Sequence, residues 1–280
     1  MSVKIIIDST ADMPQELKSR CCVVPLTVRF GDEEYVDGVT IDHKAFYEKL
    51  VECDVLPSTS QATPAAFEGV FSEVADAGDT AVVITLSADL SGTYQSAVIA
   101  AADYADRIFV VDSRSAAIGT GILAELALQM AEDGMEATSI ARALVCQREK
   151  IRVVALLDTL EYLKRGGRIG KGVAFAGSLL SIKPVAAIQD GKIQLLGKAR
   201  GSKQGNNLLV QEIKKTGGVD FDKPLLLGYT GLSSALLKKY VEDSRALWET
   251  GTQQLRSTPI GSVIGTHAGP GAVAVAFFCK

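Results

Sequence analysis

Only two histidines, His43 and His267, occur in this 280-residue chain, and its five cysteines, Cys21, Cys22, Cys53, Cys146 and Cys279, form no Cys-x-x-Cys pair. Structural zinc and histidine-rich metal centres need clustered ligands at short spacing, so no metal is expected. An odd, unpatterned cysteine set suits reduced thiols, most of them packed as small buried apolar side chains. No basic run is interleaved with aromatics, and the formal net charge is −4. Nucleic acid is therefore not expected as a partner. No apolar run reaches the ~20 residues of a membrane span. No charged-then-apolar leader opens the sequence, so a cytoplasmic location is expected. A G-x-x-x-x-G-K-[ST] loop is missing, which removes P-loop phosphate chemistry. Internal repeats and low-complexity segments are missing too.

What is present reads as a folded protein, with 47% apolar and 22% charged residues. The length suits two domains. Across the first half, nearly continuous apolar runs at 3–7, 22–30, 80–87 and 108–112 read as strands. They alternate with a short helix after Pro14 and with helices at 42–53, 64–77, 92–104, 116–133 and 137–150. Such strands belong to a parallel sheet covered on both faces. The second half has a strand at 152–157, a short helix at 158–165 and a Gly-rich basic stretch at 165–172. An Asp190-Gly191 hairpin then joins 183–188 to 192–196. Helices at 203–216 and 233–247 and strands at 224–229, 254–258 and 272–278 complete it. The expected fold is α/β: a parallel-sheet three-layer α/β domain over 1–155, then a smaller α+β domain with an antiparallel sheet over 156–280.

Several short motifs carry candidate chemistry. Ser91-Gly92-Thr93 lies between a strand and a helix, where free N–H groups and the helix dipole favour an anion. Gly92 permits close backbone approach. The competing reading is an ordinary N-cap. Ser58-Thr59-Ser60-Gln61 is a second hydroxyl-rich loop ahead of a helix. Asp8-Ser9-Thr10, with Asp12, ends the first strand, where ligands of open parallel sheets gather and where caps are equally at home. Gly119-Thr120-Gly121-Ile122-Leu123-Ala124 matches G-x-G-x-x-A, but the glycines fall inside a helix rather than in a strand-to-helix turn. Close helix packing accounts for them better than a nucleotide. His267 sits in a Gly-rich turn ending Gly269-Pro270-Gly271. A Ser91/His267 acyl hydrolase is the enzymatic alternative, but it lacks the G-x-S-x-G elbow and a marked aspartate. Arg165, Arg168, Lys171, Lys198, Arg200 and Lys203 form either a solvated basic face or a surface for a phosphate or an acidic partner.

In this order and spacing, Asp8-Ser9-Thr10-Ala11-Asp12, Pro57-Ser58-Thr59-Ser60-Gln61, Leu90-Ser91-Gly92-Thr93, Leu160-Glu161-Tyr162-Leu163-Lys164-Arg165-Gly166-Gly167-Arg168, Ser181-Ile182-Lys183-Pro184 and Gly265-Thr266-His267-Ala268-Gly269-Pro270-Gly271 resemble the DegV family of bacterial proteins over residues 3–280. The resemblance implies a carrier with no cofactor and no catalytic step of its own. One long-chain fatty acid, such as palmitate, would bind between the two domains. Thr59 and Ser91 would hold its carboxylate, with Gly92 and His267 at the same head group. It also implies a separate fatty acid kinase as partner, with Arg200 at the docking or head-group surface and Arg168 as a further phosphate or partner contact. A basic run after Arg200 that is thinner than in many relatives weakens the kinase part. A third reading makes the basic loops a partner-recruiting module with the lipid structural.

The chemistry suits such a ligand. About fifteen methylenes at ~0.8 kcal/mol each give on the order of 12 kcal/mol gross, part of which association costs take back. The head group then needs only enough hydrogen bonds to offset its desolvation, and hydroxyls with helix N–H groups can supply them.

Overall fold

The computed structural model describes residues 2–169, 182–249 and 255–280. In chain order the first half contains β1 (Val3–Asp8), α1 (Gln15–Lys18), β2 (Cys22–Val24), β3 (Thr27–Phe30), β4 (Glu33–Val36), α2 (His43–Glu52), β5 (Ser58–Ser60), α3 (Pro64–Asp76), β6 (Thr80–Thr85), α4 (Thr93–Ala101), β7 (Ile108–Asp112), α5 (Ile118–Glu132) and α6 (Ala137–Gln147). The second half contains β8 (Ile151–Leu156), α7 (Glu161–Arg165), β9 (Ile182–Gln189), β10 (Lys192–Arg200), α8 (Gly201–Lys215), β11 (Leu226–Tyr229), α9 (Ala235–Asp243), α10 (Arg245–Trp248), β12 (Ser257–Pro259), α11 (Ser262–Ala268) and β13 (Val273–Phe278).

The parallel sheet runs β2-β1-β6-β7. The central residues of its strands, such as 5–7 and 81–84, are apolar because helices cover both faces. One core joins Ile6 and Val83 to Phe67, Phe71 and Ala97 of α3 and α4. The other joins Ile7 and Ile84 to Ile118 and Ile122 of α5 and Ile140 of α6. A six-stranded sheet, β10-β9-β8-β13-β11-β12, packs its inner face on the same α5 through Val153, Leu226 and Ala274. With a sheet on each side, α5 is buried nearly all round, and Gly121 is pressed against the Asp12 carbonyl. Its G-x-G-x-x-A pattern is thus a packing feature. The outer face of the second sheet carries α8, α9 and α10. This is the α/β plus α+β architecture, with one departure from an antiparallel sheet: β12 runs parallel to β11. The expected division at 155/156 runs through β8, which pairs only within the second sheet.

Four local expectations are corrected. The strand read at 22–30 is two, because Pro25 has no N–H for a ladder. β2 stays in the parallel sheet, while β3 enters a small antiparallel sheet, β4-β3-β5. The polar loop at 57–61 contains strand β5, paired with β3 so that Thr59 lies opposite Val28. The Gly-rich turn around His267 is the last turn of helix α11, ended by Gly269 at φ +70°. The cysteines are not core residues: Cys146 is exposed and the other four are half-buried. Gly170, Lys171, Gly172, Ser181 and Gln254, which figured in the sequence reading, lie outside the described residues.

Candidate functional site

An apolar cavity, open to solvent at its mouth, lies between the two sheets. Its floor comes from the second sheet. Ala155 on β8 is paired in register with Ala186 on β9 and with Ala274 on β13, so three small side chains make one row across three strands. Val153, Ile188 and Ile193 raise the wall beyond that row. Opposite stand Ala116 and Ala117, ahead of α5, and Val263 and Ile264 of α11.

The polar end is assembled from three distant segments. β5 presents Thr59, the turn between β6 and α4 presents Ser91, and α11 presents His267. Thr59 Oγ1 and His267 Nε2 are 3.0 Å apart. Burial, and then the nearby Arg168 charge, push the His267 pKa down to about 4, so the ring is neutral near neutral pH. Its Nδ1 is buried without a partner. Placing the ring proton on Nε2 leaves only a lone pair there, which costs less than a buried unpaired N–H. In that tautomer Nε2–H donates to Thr59, and the Thr59 hydroxyl is free to donate into the cavity. Ser91 is arranged similarly. Its Oγ lies 2.9 Å from the buried Thr93 Oγ1 and accepts from the Thr93 N–H at 3.3 Å. Once Thr93 donates, the Ser91 hydroxyl is also free. Two backed hydroxyls with no negative charge between them suit an acceptor such as a carboxylate.

Gly92 caps α4 without lining the cavity. A Cβ there would stand 2.1 Å from Gln61 Oε1. The glycine therefore lets the Ser91 turn press against the Thr59 loop, and Gln61 Nε2 fastens that contact by donating to Ser96 Oγ at 2.9 Å. Arg168 lines the cavity; its Nε donates to the Leu90 carbonyl at 3.2 Å and its Nη1 to that of Gly166 at 2.6 Å. Arg200 is exposed at the end of β10, opposite Ile182, and is not part of the lining.

Ser91 and His267 share no hydrogen bond: each is paired within its own hydroxyl couple. A serine–histidine nucleophile needs that bond and an acid orienting the other ring nitrogen. The arrangement favours holding an acceptor over attacking a carbonyl. Asp8 serves the fold: one carboxyl oxygen accepts from the Thr10 N–H and hydroxyl, the other from the Leu86 N–H, fixing the ends of β1 and β6. Among the described residues no group of three or more His, Cys, Asp or Glu side chains converges on a metal position. No described helix is long and apolar enough to cross a membrane.

Two contributors escaped the sequence reading. One is Gln61, read only as a loop residue. The other is Gly166, where a Cβ would stand 2.1 Å from His267 Nδ1. The signal for the second was the adjacent pair Gly166-Gly167 beside a conspicuous Arg168.

The DegV family model, described as one of uncharacterised proteins, matches residues 2–280. A DegV domain-containing protein of Caldanaerobacter subterraneus subsp. tengcongensis is 34% identical over 281 residues, covering 98% of this chain and 98% of the relative. Among solved structures, a DegV family protein from Thermus thermophilus, described by its fatty acid binding, aligns with a TM-score of 0.89 at 30% identity over 100% of both chains. A stearic acid-binding protein from Eubacterium ventriosum gives 0.88 at 28% identity, over 100% of this chain and 99% of the other.

Proposed function

This chain belongs to the DegV family, and from that premise we propose that it binds one long-chain fatty acid, palmitate or similar, in the cytoplasm. The tail occupies the cavity between the sheets. The carboxylate accepts hydrogen bonds from Thr59 and Ser91, with His267 behind Thr59 and Arg168 supplying the positive charge of the lining. The observation that carries the reading is a mostly apolar cavity whose lining includes two hydroxyls, Thr59 and Ser91, with backing partners His267 Nε2 and Thr93 Oγ1 at 3.0 and 2.9 Å. The tail supplies the affinity; the head needs only to recover its lost hydration. The fatty-acid-binding relatives of the same fold support this reading.

Because the neutral clamp also tolerates a larger acyl phosphate head, the proposal extends to presentation of the carboxylate to a separate fatty acid kinase. Arg200, exposed and apart from the lining, is assigned to that docking surface. Organic extraction of the purified protein followed by mass spectrometry tests the core of the reading. About one fatty acid per chain is expected. A protein that comes empty and also refuses added palmitate sinks the proposal. Retention unchanged in Ser91→Ala removes Ser91 from the site.

A further inference from the structure

The motif Asp8-Ser9-Thr10-Ala11-Asp12 has an acidic residue at each end, and only the first is accounted for by the strand ends it ties. Asp12 is 4% exposed, and its Oδ1 accepts from the Gly261 N–H at 2.9 Å. Asp37, just after β4 and 7% exposed, accepts from the Ser262 hydroxyl at 2.5 Å. The two carboxyls converge: a Cβ on Gly261 would stand 3.2 Å from Asp12 Oδ1 and 3.7 and 3.9 Å from the two Asp37 oxygens. Gly261 and Ser262 are the cap and first residue of α11, whose last turn carries His267.

Two carboxyl groups buried side by side are expensive. Burial comes first among the causes that push the Asp12 pKa up to about 7; Asp37 and Asp8 add to it, and Lys18 of α1 opposes it. Asp12 Oδ2 has no partner. The fold tolerates this where the backbone of a short helix must be pinned. Ser262 and His267 are five residues apart, about 7.5 Å along the axis. The Thr266 hydroxyl donates to the Ser262 carbonyl at 3.0 Å, tying the two ends of that span together. A tilt at Gly261 therefore reaches the imidazole almost undiminished. The backbone N–H of Asp12 also donates to the Ala117 carbonyl at 3.3 Å, joining the same residue to the cavity wall ahead of α5.

We propose that Asp12 and Asp37 are positioning residues for the head group: they hold the first turn of α11 from two sides and so set where His267 meets Thr59. Only the ligand arm of the test rests on the fatty acid reading. The first measurement needs no ligand. With two histidines in the chain, the ring 15N signals of His267 are readily followed by NMR. Asp12→Ala removes the acceptor and is expected to move them. Asp12→Asn keeps the Oδ1 acceptor and is expected to leave them in place. Ser262→Ala, which removes only the Asp37 contact, is expected to move them less, and it carries the test if Asp12→Ala does not fold. The second measurement is palmitate affinity. It is expected to fall roughly tenfold in Asp12→Ala and to stay within about twofold in Asp12→Asn. In a His267→Ala background the Asp12→Ala loss should shrink to about twofold or less. Unmoved His267 signals in folded Asp12→Ala, or in Ser262→Ala if the former does not fold, overturn the proposal, as does an equal affinity loss with and without His267. If the wild type binds no palmitate while the His267 signals respond as stated, the fatty acid reading fails and the positioning role stands.

Discussion

His267 Nε2 and Thr59 Oγ1 meet at 3.0 Å across 208 residues of sequence, joining a helix of the second half to an edge strand of the first. The ring is neutral and its other nitrogen has no partner, so the contact orders Thr59 rather than charging it. Thr59→Val keeps the shape, removes the hydroxyl, and strands both the His267 N–H and the carboxylate. Palmitate affinity is expected to drop on the order of tenfold or more. Thr59→Ser, which restores the oxygen, is expected to recover most of it. Titration with a fluorescent fatty acid, displaced by palmitate, reads both. Equal affinity in the valine variant would remove Thr59 from the head-group clamp.

The same histidine sets an acid limit on stability. Its folded pKa of about 4 lies below the ordinary 6.5, so between those values the unfolded chain holds more protons. Stability from this group therefore falls as pH drops from 6.5 towards 4 and levels off below, by about 3 kcal/mol in full. Asp12 acts with the opposite sign. Raised from 3.8 to about 7, it gives the folded chain more protons in that window, so its contribution weakens as pH rises from 3.8 to 7. The slopes oppose each other between pH 4 and 6.5. Urea midpoints measured against pH should separate them. His267→Gln is expected to become relatively more stable as pH falls through this range, whereas Asp12→Asn should lose stability on acidification more steeply than wild type. A His267→Gln profile parallel to wild type would show that the ring is not held neutral.

Gly92 tests how the two hydroxyl loops share one wall. A methyl group there would collide with Gln61, whose exposed side chain can swing away, but only by giving up its 2.9 Å bond to Ser96. Gly92→Ala is expected to cost about 1 kcal/mol of stability and to lower palmitate affinity several-fold as the Ser91 turn and the Thr59 loop part. Adding Gln61→Ala should then cost little more, because the first change has already broken that contact. Strictly additive losses would mean that the glycine acts elsewhere, such as through its own N–H on the ligand.

The legible and hidden parts of this molecule divide on physical lines. Strands such as 80–85 and 108–112 are covered on both faces, so their apolar runs declare themselves. β5 is polar and only three residues long, and nothing in Ser58-Thr59-Ser60 marks a strand until β3 pairs with it. α11 was hidden by its glycines. Gly265 is required because a Cβ there would stand 2.5 Å from the Tyr47 hydroxyl, a neighbour supplied by α2 more than two hundred residues earlier. Ser91, Thr59 and His267 could be read from turn chemistry and the ordered motif set. Their pairing could not: serine with histidine stood only as the disfavoured enzymatic alternative, and nothing in the sequence marks the couples the fold makes, threonine with histidine and serine with Thr93.

The row of Ala155, Ala186 and Ala274 leads to a prediction about the tail rather than the head. Ala186 is the middle of an inner strand and is 4% exposed, so a larger side chain there can grow only into the cavity or into a packed sheet. Overpacking against the sheet costs ~1–3 kcal/mol, whereas the cavity offers free space, so the isobutyl group of Ala186→Leu should take the cavity. It then occupies volume that a long acyl chain needs. Fatty acids extracted from this variant are expected to shift towards shorter chains, each excluded methylene forfeiting ~0.8 kcal/mol of transfer energy. Occupancy by long chains should fall while Ser91 and Thr59 still hold the shorter acids. Ser91→Ala, by contrast, should lower total occupancy without changing the length distribution. Mass spectrometry of both extracts, after equal loading with a mixture of C10 to C18 acids, separates the two effects. An unshifted distribution in Ala186→Leu would mean that the tail does not lie along the alanine row.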